Sequence, residues 1–425
     1  MSHQYTEMYE QLGMNVELHG QMIEAIHDSF ERQVLSQQGR PEGMEHFDGL
    51  VEAAHGERVR EILDHKKAGG SFIGTFCIYV PEEIAWALDV LPLPLCGGSG
   101  FSVPYAAGRF PRDICPLVKS TLGMAFSGCC PFGGIKDMAV GETTCDAKKK
   151  TWDVMAVWGV NMHVLEVPQK KNARTVDLWR AEVSEFRDRL EDISGKRLVA
   201  ERLTEAVRLI NRRRKALAEL HSFRMEERPP ISGTDVLVAT QGSLIDDPAR
   251  CCDRLEALND ELRQRVAQGV SPIPEGVLRI MLGGSPAVMG NWKLHHLIES
   301  AGAVVVCDET CTGTRYFAHL VPEIEGDLEA QLSAIADRYL QIDCACFSPN
   351  TERIENIVDL AGQFRVDGMI HYVLQYCHGY NIEAITVAEA LKEAAVPSIT
   401  LETDYSEEDN GQLRTRIEAF LEMMA

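Results

Sequence analysis

Thirteen cysteines are the side chains of this sequence with the greatest capacity for chemistry. Four of them lie between Cys115 and Cys145, in a segment whose prolines and glycines predict loops rather than a helix or a packed core element. A cysteine thiolate is a nucleophile and a ligand for soft metals and iron–sulfur clusters. We therefore expect this segment to surround a group that is bound through sulfur.

The composition restricts the partners and the cellular compartment that we expect for this protein. The net charge of -22 and the pI near 5.0 predict neither nucleic acid nor an anionic membrane as a partner, because polyanions are repelled. The sequence has no signal-peptide pattern and no apolar run of the roughly 20 residues that span a bilayer, so we expect a cytoplasmic protein. In a reducing compartment, surplus cysteines indicate metal or redox chemistry rather than disulfides.

About half of the cysteines are expected to be structural, since free cysteine often serves as a small buried apolar residue. Cys251 and Cys252 lie in a charged helical pattern, and Cys307 ends the apolar run AVVVC, which predicts a buried strand. The ligands of a sulfur-bound group are to be sought among the others.

Strands that alternate with helices must position these ligands. We expect strands within residues 69–80, 91–96, 137–144, 162–167, 277–309, 367–377 and 396–405. Such alternation predicts an α/β fold with parallel sheets. The expected organisation is an N-terminal helical segment (1–65), a first α/β domain (66–172), a helical connecting region (173–272) and a second α/β domain (273–425).

The connecting region is heavily charged, and we interpret it as solvated faces of packed helices that carry an interdomain or dimer contact. Its basic run, residues 211–216, is included in that interpretation. A GGSP turn after the first strand of the second domain matches neither GxGxxG nor GxxxxGK[ST], so no nucleotide site is predicted.

Ligands of open α/β sheets lie at the carboxyl ends of the strands. Cys145 and Cys377 each follow an apolar strand, Cys311 follows AVVVC, and Cys115 lies in a loop that crosses the same edge. We therefore expect a site in the cleft between the two α/β units. Neither paired CxxC motifs nor CxxCxxC is present, which favours an iron–sulfur centre built from distant cysteines over a zinc ribbon or a ferredoxin-type cluster. Cys145 is expected at a helix N-terminus, with Asp146 as the N-cap.

Several segments resemble the 2-hydroxyacyl-CoA dehydratase and benzoyl-CoA reductase superfamily over roughly residues 65 to 425. They are FCIYVPEEI (76–84), RDICPLVKS (112–120), GETTCDAKKK (141–150), ETCTGTRYF (309–317), CACFSPN (344–350) and LQYCHGY (374–380). The resemblance implies two Rossmann-like domains with a [4Fe–4S] cluster in the cleft, on three cysteines that match Cys115, Cys145 and Cys377.

The surplus of cysteines at the site is similar to the double-cubane cluster proteins of this superfamily, in which six cysteines hold an [8Fe–9S] cluster. On that resemblance we assign Cys130, Cys311 and Cys346 to the second cubane, with Cys129 and Cys344 in reserve.

The resemblance also implies a mechanism. A separate dimeric, ATP-hydrolysing iron–sulfur reductase would supply low-potential electrons to this chain, itself a homodimer, for the reduction of a small substrate. Protons could come from His371, His378 or Tyr105. Lys148 to Lys150 could offset cluster charge, meet the reductase, or form a solvated face.

Two alternatives stay open. The chain could be a subunit of a [4Fe–4S] 2-hydroxyacyl-CoA dehydratase or aryl-CoA reductase, with an acyl-CoA substrate. It could also be a non-catalytic metal-cluster protein.

Overall fold

The computed structural model describes residues 5–95 and 97–424, and within them two four-stranded parallel sheets organise the chain. This confirms the predicted α/β fold. The strands are β1 (Ser71–Thr75), β2 (Val90–Pro94), β3 (Met138–Glu142), β4 (Met162–Leu165), β5 (Leu278–Gly284), β6 (Ala303–Glu309), β7 (Gly368–Leu374) and β8 (Ser398–Thr403). The strand orders are β2-β1-β3-β4 and β6-β5-β7-β8, so the two sheets share one topology. Every residue of β1, β3, β6 and β7 is buried, as expected for parallel sheets covered on both faces.

From residue 5 onward, the N-terminal segment forms four α-helices, α1 (Thr6–Gln11), α2 (Val16–Phe30), α3 (Met44–Ala53) and α4 (Glu57–Lys67), and a π-helix, Glu31–Leu35, directly follows α2. Phe30 and Phe47 from these helices are fully buried and belong to the same core as Leu217 and Leu255 of the connecting region. The N-terminal helices are therefore part of the folded body.

Five helices accompany the first sheet: α5 (Glu82–Ala87), α6 (Val103–Ala106), α7 (Pro116–Ser127), α8 (Pro131–Ile135) and α9 (Asp146–Val157). The expectation of loops rather than a helix in residues 115–145, outside the strand expected within 137–144, is wrong, because α7 is a twelve-residue helix inside that segment. Pro116 occupies its first turn and Gly128 ends it at φ 66°, which are the positions where proline and glycine favour a helix boundary. Leu122 is fully buried against the first sheet.

Four helices form the connecting region: α10 (Ala173–Ser194), α11 (Ala200–Ser222), α12 (Gly233–Ser243) and α13 (Pro248–Gln268). The interpretation of its charges as solvated is wrong for Arg213 and Arg214, which are 2% and 0% exposed. Arg214 Nη1 lies 2.6 Å from Glu83 Oε1, and Arg213 donates to the Glu82 carboxylate, so α11 is tied to α5 by buried ion pairs. Cys251 and Cys252 are buried in α13, as predicted.

The second half adds α14 (Lys293–Ser300), α15 (Thr314–Phe317), α16 (Leu328–Tyr339), α17 (Thr351–Gln363), α18 (His378–Glu393) and α19 (Asn410–Glu422). Cys307 is fully buried in β6, as predicted. α16 packs back onto the core of the first half, where Trp179 Nε1 donates to Ala336 O at 2.9 Å. Among the described residues, no helix is both long and apolar enough to cross a bilayer.

Candidate metal centre

Four of the described helices begin at cysteines. Cys115, Cys145 and Cys377 are the N-cap residues of α7, α9 and α18, and Cys130 is the N-cap of the short helix α8. Asp146, which was expected to be the N-cap of α9, is instead the first residue of that helix and forms an ion pair with Lys149. A helix N-terminus presents free N–H groups and a positive dipole end, so each of these sulfurs lies where a thiolate is favoured.

The thiols of Cys115, Cys145 and Cys377 are electrostatic neighbours. Burial raises the pKa of each, that of Cys377 to about 12, and the negative charges of Cys115 and Cys145 contribute to the increase at Cys377. Hydrogen bonds from backbone N–H groups of the first helical turn lower the pKa of all three thiols. Cys145 follows β3 and Cys377 follows β7, so residues that follow strands of both sheets are among these neighbouring thiols. Of the three residues, Cys145 is the most exposed to solvent.

A second set of thiols, Cys77, Cys311 and Cys344, adjoins the first. Burial raises the pKa of Cys77, Cys145, Cys311 and Cys377, and the charge of Cys344 contributes to that increase in all four. Cys344 is thus next to members of both sets. Cys77 follows β1 and was not singled out from the sequence. The strand predicted over residues 69–80 placed Cys77 inside it, whereas β1 ends at Thr75, so Cys77 lies just past the strand end, as Cys145 and Cys377 do.

Cys346 lies beside Cys344, and both pack against the first-half core. The Cys346 Sγ hydrogen-bonds the Cys344 sulfur, which is the largest cause of a lowered Cys344 pKa and of a raised Cys346 pKa. Tyr79 Oη lies 4.0 Å from Cys346 Sγ, and the neighbouring Phe347 is buried. Cys346 is therefore a hydrogen-bond partner of Cys344.

Cys129 and Cys130 lie elsewhere. They follow the C-terminus of α7, whose twelve residues span roughly 18 Å at 1.5 Å per residue, whereas Cys115 precedes its N-terminus. Cys129 Sγ lies 3.5 Å from Met22 Sδ, and Cys130 packs with Phe132. The structure does not bring Cys130 to the other predicted ligands.

Lys148 is directed inward, unlike the two lysines that follow it. Its Nζ donates to Phe76 O at 3.0 Å and to Glu142 Oε1 at 2.5 Å, and its charge lowers the pKa of Cys145 against the effect of burial. Lys149 and Lys150 pair with acidic residues of their own helix near the surface. Lys148 is therefore placed to offset negative charge on the sulfurs from inside the site, and the charge of Cys145 also helps to raise the pKa of Lys149 at the surface.

A cavity of about 140 Å³ adjoins the thiols Cys77 and Cys311. Its walls are mainly apolar and come from both halves and from α12; they include Phe76, Ile78, Pro94, Leu244, Val288 and Met289. Polar groups at its edge include Glu82, Lys148 and Tyr316, and Tyr316 Oη donates to Glu82 Oε1 at 2.6 Å. The arrangement can enclose a small apolar molecule beside sulfur and beside the hydrogen-bonded hydroxyl of Tyr316.

The three proton donors suggested by the sequence are not part of this wall. His371 is buried in β7, where burial lowers its pKa to about 4 and Tyr380 O lies 3.2 Å from its Nε2. His378 and Tyr105 are exposed. The hydroxyl-bearing residues that line the cavity are Tyr316, Thr75 and Thr312.

The donor set fits a polynuclear group rather than a single ion. Within residues 5–95 and 97–424, no three His, Cys, Asp or Glu side chains converge as one metal ion requires. In an iron–sulfur cluster, however, the thiolates bind different irons and inorganic sulfide occupies the space between them. All the thiols at the site are free cysteines, and burial raises the pKa of most of them. Coordination to a metal stabilises the thiolate and therefore lowers that pKa, because a coordinated thiol is deprotonated.

Comparisons with known proteins extend over both sheets. The family model described as 2-hydroxyglutaryl-CoA dehydratase, D-component, matches residues 77–424. The chain is 34% identical over 368 residues to the putative dehydratase subunit YjiM of Escherichia coli (strain K12), covering 85% of this chain and 94% of that protein. It is 22% identical to the (R)-phenyllactyl-CoA dehydratase beta subunit of Clostridium sporogenes, with the same coverage. It is 24% identical to a benzoyl-CoA reductase subunit of Thauera aromatica, covering 79% of this chain and 86% of that protein.

Proposed function

This chain belongs to the 2-hydroxyglutaryl-CoA dehydratase D-component family, and on that premise we propose that it is an iron–sulfur reductase component with a double-cubane [8Fe–9S] cluster. Its relatives are dehydratase and reductase subunits, so the chain is a component of an enzyme. The observation that carries the finer proposal is the number of neighbouring thiols. Two sets of three, contributed by both sheets, exceed what one cubane on three cysteines requires.

The proposed ligands of the first cubane are Cys115, Cys145 and Cys377, the N-cap cysteines of α7, α9 and α18. For the second we propose Cys77, Cys311 and Cys344, so that Cys77 and Cys344 replace the sequence-based choices Cys130 and Cys346. Cys344 is preferred over Cys346 because its charge acts on thiols of both sets, whereas Cys346 faces Tyr79.

When bound, the cluster would supply low-potential electrons. The chain's own residues exclude water and hold charge and protons. The cavity walls are apolar, Lys148 lies beside Cys145, and the Tyr316 hydroxyl is held by Glu82 and by Arg213. Since an apolar cavity of roughly 150 Å³ is large enough for benzene, the proposed substrate is a small molecule or the small reacting end of a larger one.

The proposed electron source is a separate dimeric, ATP-hydrolysing iron–sulfur reductase, and the proposed state of this chain is a homodimer. Two observations support an external source. The sequence contains no GxxxxGK[ST] phosphate loop, so ATP would be bound by the partner. Cys145 is exposed, which gives a docked partner a short path to the site.

A single [4Fe–4S] cluster on Cys115, Cys145 and Cys377, in a protein that acts on an acyl-CoA, is the second candidate. The names of the relatives favour it, since two are acyl-CoA dehydratase subunits and one is a benzoyl-CoA reductase subunit.

Iron and sulfide determination on anoxically purified chain separates the candidates. The double cubane predicts about eight irons per chain and the single cubane about four. Cys77→Ser and Cys344→Ser should lower the iron content, whereas Cys130→Ser, the matched control at the far end of α7, should not. Unchanged iron in both test variants would refute the second ligand set. A non-catalytic cluster protein would hold iron but show no substrate-dependent electron flow with its reductase.

A further inference from the structure

Two buried arginines lie behind Cys311 and Cys344. Arg315 and Arg353 are 3% and 0% exposed and share the carboxylate of Glu309, which is itself 2% exposed. Arg315 Nη2 lies 2.7 Å from Glu309 Oε2, and Arg353 Nη2 lies 2.7 Å from the same oxygen. Arg353 also pairs with Glu383 of α18, so two cations are balanced by two carboxylates.

The remaining edge of Arg315 is directed at the thiols. Its Nη1 lies 3.9 Å from Cys311 Sγ, donates to Gly284 O at 3.0 Å, and donates to Tyr380 Oη. Tyr380 Oη in turn lies 3.9 Å from Cys344 Sγ. Because a guanidinium can only donate, Tyr380 accepts from Arg315 and keeps its own proton for the Cys344 sulfur. Arg315 and Tyr380 are therefore hydrogen-bonded to each other, and each directs a donor at one sulfur, that of Cys311 and that of Cys344 respectively.

The charged group of this network that contacts sulfur is the guanidinium of Arg315, beside Cys311 Sγ. Glu383 pairs with Arg353 and is connected to Cys344 through Asn350 Nδ2, which donates to Glu383 Oε1 and to the Cys344 backbone carbonyl. The ring centroid of Tyr380 lies 5.0 Å from the Arg315 guanidinium carbon and 5.2 Å from that of Arg353. A buried ion network is weak evidence that the network stabilises the fold. The contacts of Arg315 and Tyr380 with the two sulfurs are therefore the feature that indicates a function.

We propose that Arg315 and Tyr380 are positioning residues that hold the sulfurs of Cys311 and Cys344 and favour the more reduced state of the group bound there. The inference rests on the proposed function, in which these cysteines are cluster ligands. Hydrogen bonds and positive charge directed at ligand sulfurs stabilise the added negative charge of a reduced cluster and raise its reduction potential.

Tyr380→Phe is the sharpest test, because it removes one hydroxyl and keeps the ring between the two guanidinium groups. Anoxic redox titration followed by electron paramagnetic resonance should give a midpoint potential more negative than that of the wild type, at unchanged iron per chain. Arg315→Lys keeps the charge but loses the planar fork, and should shift the potential in the same direction.

Tyr339→Phe is the matched control, since its hydroxyl is also buried but donates to Glu83 Oε2 at 2.8 Å, in the ion-pair layer of α5 and α11. Its potential should equal that of the wild type. An unshifted potential in both Tyr380→Phe and Arg315→Lys at full iron content would overturn this inference alone. Absence of iron from the wild-type chain would overturn the proposed function, and the inference with it.

Discussion

Replacement of Arg214 by methionine should leave a buried carboxylate without its cation. Arg214 and Glu83 are both 0% exposed, and Arg214 Nη1 lies 2.6 Å from Glu83 Oε1. Methionine retains much of the arginine volume, so the main loss is the charge. Removing one partner of a buried ion pair costs about 3–5 kcal/mol, because the remaining charge stays desolvated. We expect the free energy of unfolding to fall by that amount.

The same helix offers a matched control two residues earlier. Arg212 lies on the solvent side of α11, where its side chain is 43% exposed and pairs with Asp253 and Glu256. Exposed ion pairs contribute about 0–1 kcal/mol, so Arg212→Met should change stability by less than about 1 kcal/mol.

Urea denaturation of the metal-free chain, followed by circular dichroism, measures both variants under one condition. The double variant Glu83→Gln/Arg214→Met should recover most of the loss, since no unpaired charge is then buried. If Arg214→Met and Arg212→Met were equally stable, the pair between α5 and α11 would not be buried in solution and the reasoning would fail.

Three further predictions concern other parts of the molecule. Burial lowers the pKa of His371 from its ordinary 6.5 to about 4, so its contribution to stability is complete above pH 6.5 and is lost as the pH falls toward 4. The free energy of unfolding should therefore fall by about 2 kcal/mol more between pH 7.5 and pH 5 in the wild type than in His371→Gln, and parallel pH profiles would contradict this. A Cβ at Gly123 would lie 1.8 Å from Ser102 O, so Gly123→Ala should lower the thermal midpoint at a cost of about 1–3 kcal/mol, whereas Gly133→Ala, which meets nothing within 4 Å, should not. Met289→Trp should fill the cavity and reduce substrate turnover by at least about tenfold at unchanged iron content, and full turnover would show that the cavity is not the substrate site.

The strands were predictable because the strands of parallel sheets appear in a sequence as short apolar runs. AVVV became β6 and GMIHYVL became β7, each buried at every residue. The buried position of Cys307 could be inferred from its place at the end of such a run, without knowledge of what it contacts.

The sequence-based predictions were wrong where the role of a local segment is decided by residues that are distant in the sequence. Proline and glycine in residues 115–145 were interpreted as signs of loops, but they bracket α7. A loop could have folded Cys130 back toward Cys115, whereas a helix of that length separates them. Arg213 and Arg214 were interpreted as solvated because their carboxylate partners on α5 are remote in sequence.

The division of the thiols between the halves has a consequence for maturation. Cys77, Cys115 and Cys145 lie in the first half of the chain and are synthesised first, whereas Cys311, Cys344 and Cys377 lie in the second half. A group bound by thiols of both halves would cross-link them and close a long chain loop, which favours the docked state by the affinity of that group. Insertion of such a group must therefore follow the docking of both halves, and an oxidant that dismantles it would remove the bridge between them.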